Sequence, residues 1–254
     1  MTDTLTETAP PQRSSRALAS TVLAGALLFL LFIALGTWQV QRRAWKLDLI
    51  QQVETRVHAP PVAAPGRADW PNVTAARDAY RHVTVRGTFD HGRETLVQAA
   101  TVMGAGHWVL TPLRTADGTT VLVNRGFVPP EKRDRAARQA DAPQGEVDVA
   151  GLLRVTEPGG GFLRKNDPAG DRWFSRDVAG IAAARGVADA APYFIDQDAP
   201  PGARASDRWP VGGLTVVSFP NSHLVYAITW YGLALMVAAG TVFFVRTARR
   251  RTMR

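Results

Sequence analysis

The sequence predicts an α+β protein in which two transmembrane helices, one at each end of the chain, flank a β-rich extracytoplasmic domain. Three observations predict it. Apolar runs near both ends, Ala17 to Gly36 and Leu224 to Val245, are each long enough to cross the ~30 Å hydrocarbon core as a helix. Between them, short segments alternate apolar and polar residues with the period of strands, separated by Gly, Pro and Asp. There is no cysteine, so the outer domain must stand on its apolar core without disulfides.

In chain order, residues 1–16 are polar and Pro-containing and read as a cytoplasmic tail ending in Arg13 and Arg16. The first span covers 17–38. Ala34-Leu35-Gly36 resembles a small-x-small cleavage site, so a signal peptide competes; the run is longer than a usual h-region and flows into more helix, which favours a span. Trp38, Trp45, Leu49, Ile50 and Val53 keep an approximate helical period with no Gly or Pro before Ala59-Pro60-Pro61, so the helix continues to about His58. Residues 59–79 read as a covering loop.

Strands are expected at Tyr80 to Gly87, Glu94 to Ala99, His107 to Arg114, Thr119 to Phe127 and Glu146 to Thr156, with Asp117-Gly118 as a hairpin turn. Shorter strands are expected at Arg172 to Arg176, Tyr193 to Ile195 and Leu214 to Phe219. Glu131 to Ala140 reads as a short charged helix. Asp177 caps a second helix that ends at Gly186. The outer domain is placed at 39–221, the second span at 222–245 and a basic tail at 246–254. Both termini are expected in the cytoplasm, because Arg246, Arg249, Arg250, Arg251 and Arg254 stop the second run as basic residues do on that side.

The charge of +8 and the pI near 10.7 suggest a nucleic-acid binder, but the distribution excludes it. The C-terminal arginines adjoin a span, where such a cluster meets anionic lipid, and no basic stripe carries interleaved aromatics. Enzyme constellations are absent too: there is no GxSxG elbow and no phosphate-loop lysine. Gly159-Gly160-Gly161 reads as a flexible loop. His58, His82, His91 and His107 are dispersed without zinc-site spacing. Asp196 and Asp198 read as turn-capping residues after a strand.

His223 opens the second apolar run, with Tyr226, Ala227 and Trp230 three, four and seven residues on. Tyr226 suits the aromatic belt; Trp230 lies roughly 10 Å deeper at ~1.5 Å per residue, below the belt. Two readings stand. His223 is a capping and interface residue, or it is a ligand above an aromatic stripe that receives a flat, metal-containing molecule.

Four motifs carry a resemblance to a known family. They are Gly36-Thr37-Trp38-Gln39 with Arg42 and Trp45-Lys46; Gly106 to Leu113; Val123-Asn124-Arg125-Gly126-Phe127-Val128-Pro129; and Asn221 to Gly232. In this order they resemble the Surfeit locus protein 1 family, helpers of cytochrome c oxidase assembly. Ser222 and Tyr231 depart from the common Asn and Phe. The resemblance implies a non-enzymatic protein of the bacterial inner membrane whose periplasmic domain assists insertion of haem a into oxidase subunit I. It implies His223 as the iron ligand. On this reading Tyr226 and Trp230 line the macrocycle, Arg42 or Arg43 meets the propionates, Trp38 is a further cofactor-binding residue, and haem a synthase and membrane lipid are further partners. A cofactor-free scaffold that docks oxidase subunits is the alternative.

Overall fold

The computed structural model describes residues 15–161, 163–200, 202, 208–215 and 219–252. The tail before Ser15, Arg254, and residues 216–218 of the expected last strand lie outside the described residues. The chain divides into two compact units, one made of the segments up to Ile50 and from Phe219, the other of Gln51–Ser218.

The first unit holds two antiparallel helices, α1 (Ser15–His58, running on into the second unit) and α4 (His223–Thr252). Each contains a window long and apolar enough to cross a membrane, and only 6% of either window is buried within the protein. A soluble core helix would bury far more of that apolar surface, so these are candidate spans. Along α1 the less exposed residues include Gly25, Phe29, Phe32, Gly36, Gln39, Arg43, Lys46 and Ile50; along α4 they include His223, Ala227, Trp230, Ala234, Val237, Thr241 and Phe244. Both sets step by alternating fours and threes, the seam of a left-handed helix pair. Small residues make the close approach possible: a Cβ on Gly36 would stand 2.7 Å from the Tyr231 ring, and one on Gly25 2.3 Å from Thr241 Oγ1.

The second unit is a sheet of seven strands in the order β1-β2-β6-β9-β5-β4-β3. They are β1 (Val62–Ala63), β2 (His82–Phe89), β3 (Thr95–Thr101), β4 (Gly104–Arg114), β5 (Thr120–Val128), β6 (Glu146–Val155) and β9 (Ala190–Gln197). β2 also pairs with β4 through Thr88↔Arg114 and Phe89↔Leu113, which closes β2-β6-β9-β5-β4 into a barrel. Every barrel pair is antiparallel except β5 with β9. This is the strand order and direction of the five-stranded Greek-key OB barrel.

Alternation along β5 separates two apolar layers, which is why all nine of its residues are buried. Val121 and Val123 face the interior with Val83, Phe89, Leu113, Val149, Leu153 and Ile195. Leu122 faces outward, where Val178 and Ile181 of α3 (Val178–Ala184) cover it together with Phe194 and Trp173. The cap of α3 is as expected: the Asp177 carboxylate accepts from Gly180 N, and Gly186 takes φ +62° at the C-terminal end.

Several expectations need correction. Residues 59–79 are not only loop: β1, a 3₁₀ helix at Arg67–Asn72 and α2 (Ala75–Asp78) lie there. Glu131 to Ala140 forms no α-helix but two 3₁₀ helices, Pro130–Lys132 and Arg135–Asp141. Arg138 breaks the helical backbone there, because its guanidinium turns inward to grip Glu94. Arg172 to Arg176 contributes only isolated bridges, one of them Trp173 to Val97. Gly160–Gly161 (β7) pairs with Arg164–Lys165 (β8) as a small hairpin, not a free loop. Asp196 caps no turn among the described residues. It is a buried carboxylate that accepts from Asn124, Arg154, Arg176 and Thr215.

Candidate functional site

The seam of the helix pair changes character along its length. From Gly25 to Gly36, α1 presents glycine and phenylalanine; Phe32 stacks on Trp230 with ring centroids 5.6 Å apart. One turn on, the same stripe turns polar with Gln39, Arg43 and Lys46, facing the start of α4. Three polar contacts join the two helices here. Thr37 Oγ1 and the Tyr231 hydroxyl are 3.1 Å apart, Lys46 Nζ donates to the Pro220 carbonyl at 2.5 Å, and His223 Nδ1 lies 2.7 Å from Gln39 Oε1.

The last contact sets the chemistry of the histidine. Gln39 is 8% exposed, and its carbonyl oxygen can only accept, so Nδ1 of His223 carries the proton. In the neutral ring Nε2 is then a lone-pair nitrogen, half-buried at the end of the seam. A histidine oriented by a hydrogen bond at one nitrogen and open at the other has the form of a metal-ligating histidine. Beside it, Asn221 Oδ1 is buried without a hydrogen-bond partner among the described residues.

The expected site residues divide. His223, Trp230 and Arg43 lie on the seam. Tyr226 is 53% exposed and Trp38 54% exposed, both outside it, and Arg42 is turned onto the Trp45 ring at 4.0 Å. The expected face included Tyr226 because three-residue spacing is ambiguous; the observed stripe takes the four-residue step to Ala227 instead. Gln39 had no assigned role. Its signal was present: it falls three residues after Gly36 and four before Arg43, in register with the stripe.

The barrel has polar buried groups of its own. Arg125, in the second half of β5, is 7% exposed, and His91 is buried against it. Burial, Arg125 and Arg135 hold the His91 pKa below its ordinary value, although the Pro143 carbonyl opposes them. His107 is lowered as well, by burial and by Arg133.

A family model described as the SURF1 family matches residues 26–235, which include the seam from Phe29 to Ala234. The chain is similar to Surfeit locus protein 1 of Homo sapiens, 40% identical over 220 residues that cover 79% of this chain and 69% of that one. It is similar to Surfeit locus protein 1 of Rattus norvegicus, 39% identical over 248 residues, covering 88% and 76%. A SURF1-like protein of Monosiga brevicollis is 36% identical over 233 residues, covering 86% and 85%.

Proposed function

Because the chain belongs to the SURF1 family, we propose that it is a membrane-anchored, non-enzymatic assembly factor for haem-a-containing cytochrome c oxidase, one that holds haem a and hands it to subunit I. The two apolar helices anchor it in a bacterial inner membrane, with both termini cytoplasmic and the barrel domain in the periplasm. Haem a synthase and membrane lipid are its further partners.

The observation that carries this reading is the His223–Gln39 pair. Gln39 accepts the hydrogen bond from Nδ1–H, so His223 offers Nε2 to iron without giving up a bond that joins the helices. Haem a is cargo here, and it supplies the redox iron of the oxidase. His223 binds the metal, Trp230 offers an aromatic surface steadied by Phe32, and Arg43 offers a cation for a propionate. Trp38, Tyr226 and Arg42 face away from the seam and suit the headgroup level or a partner subunit.

A second reading, the cofactor-free scaffold, is favoured by the same polar contacts. The ties of Thr37 to Tyr231, Lys46 to Pro220 and Gln39 to His223 also serve simply to lock two helices together. Pigment separates the two readings. The full chain is purified in mild detergent from cells making haem a, and its visible spectrum is recorded. The assembly-factor reading expects haem a with the wild type, none with His223→Ala at unchanged membrane insertion, and an altered iron spectrum with His223→Met. No pigment with the wild type leaves the scaffold, and full pigment with an unaltered spectrum in His223→Ala refutes His223 as the ligand.

A further inference from the structure

The motif Val123-Asn124-Arg125-Gly126-Phe127-Val128-Pro129 has no role in the helix pair, yet it contains the most deeply buried charge lining either of two cavities of the barrel domain. Arg125 continues the inward face of Val121 and Val123 and is 7% exposed. Among the described residues no carboxylate lies within the 4.0 Å of an ion pair with it. Its polar contacts are long and neutral: the Asp141 carbonyl at 3.4 Å and His91 Nδ1 at 3.5 Å. His91 donates Nε2–H to the Pro143 carbonyl at 2.9 Å, so its Nδ1 is an uncharged acceptor. The nearby Glu94 is already held by two nitrogens of Arg138. Burial pushes the Arg125 guanidinium down to about 10, and Arg138 and Arg135 push the same way against Glu94 and Asp141.

Arg125 lines a cavity of 860 Å³ together with Arg208, Asp141, Asp198, Trp209 and Gly212. Both carboxylates there are engaged. Asp141 accepts from Trp209 N at 3.0 Å, and Asp198 from His82 Nε2 at 2.7 Å. Arg208 has no carboxylate partner among the described residues. The residue after Arg125 fixes the cavity wall. Gly126 takes φ +131°, and a Cβ there would stand 2.1 Å from the Val211 carbonyl oxygen. Only glycine lets Val211 pair with Phe127, N to O at 2.9 Å in both directions. Arginine and glycine together thus place a buried cation, without an ion-pair partner among the described residues, against a fixed wall, an arrangement that is costly unless an anion completes it.

We propose that this cavity is a binding site for an oxyanion, a phosphate or carboxylate group at one end of a larger ligand, gripped by Arg125 within and Arg208 at the mouth. The guanidinium fork matches either group with paired hydrogen bonds. The volume suits a small molecule or a short peptide segment bearing that group, and exceeds what a bare ion needs. The proposal is independent of any ligand at His223.

The test uses the full chain in mild detergent, titrated with inorganic phosphate in one arm and acetate in the other, at ionic strength held constant with chloride. Thermal unfolding is followed in each. The midpoint is expected to rise saturably by a few degrees in at least one arm; phosphate response assigns a phosphate-bearing ligand, acetate response a carboxylate. Arg208→Gln, at the cavity mouth, should leave the anion-free midpoint in place and raise the half-saturating concentration about tenfold, the loss expected for one charge-assisted hydrogen bond. Arg125→Gln should abolish the shift. Phosphate also stabilises proteins non-specifically, so an equal shift in wild type and Arg208→Gln overturns the proposal. So does the lack of a saturable shift in both arms. Should Arg125→Gln fail to fold, the Arg208→Gln comparison decides.

Discussion

Asp196 is the most consequential single polar residue of the barrel, and its replacement by alanine gives a quantitative expectation. The residue is 3% exposed. Oδ1 accepts from Asn124 Nδ2 at 2.7 Å and Arg176 Nη1 at 3.1 Å; Oδ2 accepts from Arg154 Nη1 at 2.8 Å and Thr215 Oγ1 at 3.0 Å. The Arg154 and Arg176 side chains are themselves only 17% and 14% exposed. Burial alone would lower the Arg176 pKa, but Asp196 and Glu157 outweigh it and hold the proton more tightly than usual. Asp196→Ala therefore leaves two largely buried guanidinium groups facing Glu157 alone. Breaking a buried ion pair from one side costs about 3–5 kcal/mol. At about 2–4 °C per kcal/mol for a domain of this size, the midpoint should fall by roughly 6–20 °C. Asp198→Ala is the control: same charge and two residues on, but its side chain is 42% exposed and paired with His82, so about 1 kcal/mol or less is expected. Thermal unfolding of the full chain in detergent, followed by near-ultraviolet circular dichroism, reads the loss of tertiary packing around the aromatic side chains. An Asp196→Ala midpoint within 2 °C of wild type, or an equal loss in Asp198→Ala, refutes the reasoning.

Two further predictions concern pH and helix pairing. The pKa of His91 is held below 6.5 in the folded chain, so as pH falls through that value the unfolded chain takes up a proton that the folded one refuses, and stability declines. His107 acts in the same direction, so His91→Gln should flatten the decline without removing it; urea unfolding at about pH 7.5, 6.5 and 5.5 measures the slope, and an unchanged slope counts against a buried neutral His91. In the helix pair, a Cβ at Gly25 would lie 3.3 Å from Thr241 Cβ, close to the ~3.8 Å typical of a disulfide. The chain has no cysteine of its own, so Gly25→Cys with Thr241→Cys should cross-link on mild oxidation, whereas Leu28→Cys with Thr241→Cys should not. Equal cross-linking of both pairs disproves the seam.

The most legible features in the sequence were those set by local physics. Two uncharged runs can only be helices in a medium that leaves backbone groups without water, and α1 and α4 carry those runs. Strand alternation, the Asp117-Gly118 turn and the Asp177 cap were legible for the same reason: residues close in the chain determine them. The break at Arg138 was not. Its cause is Glu94, far off in the chain, and charged helical spacing carries no sign of such a partner. Asp196 shows the same limit, since four donors from separate segments meet only when the barrel closes.

The candidate site divides in the same way. Sequence alone determined that a lone histidine opens an apolar run, with aromatics and a cationic stretch near the opposite mouth of the chain. It could not choose between Tyr226 and Ala227 as the next residue of the face, because steps of three and four both fit one helix. Packing against a second helix made the choice. Only the alternating step keeps the stripe in contact along a paired, slightly supercoiled seam, which turned Tyr226 outward and set Gln39 against His223. The proton on Nδ1 follows from that contact, so the state of the histidine belongs to the tertiary structure: the group that decides it lies on another helix.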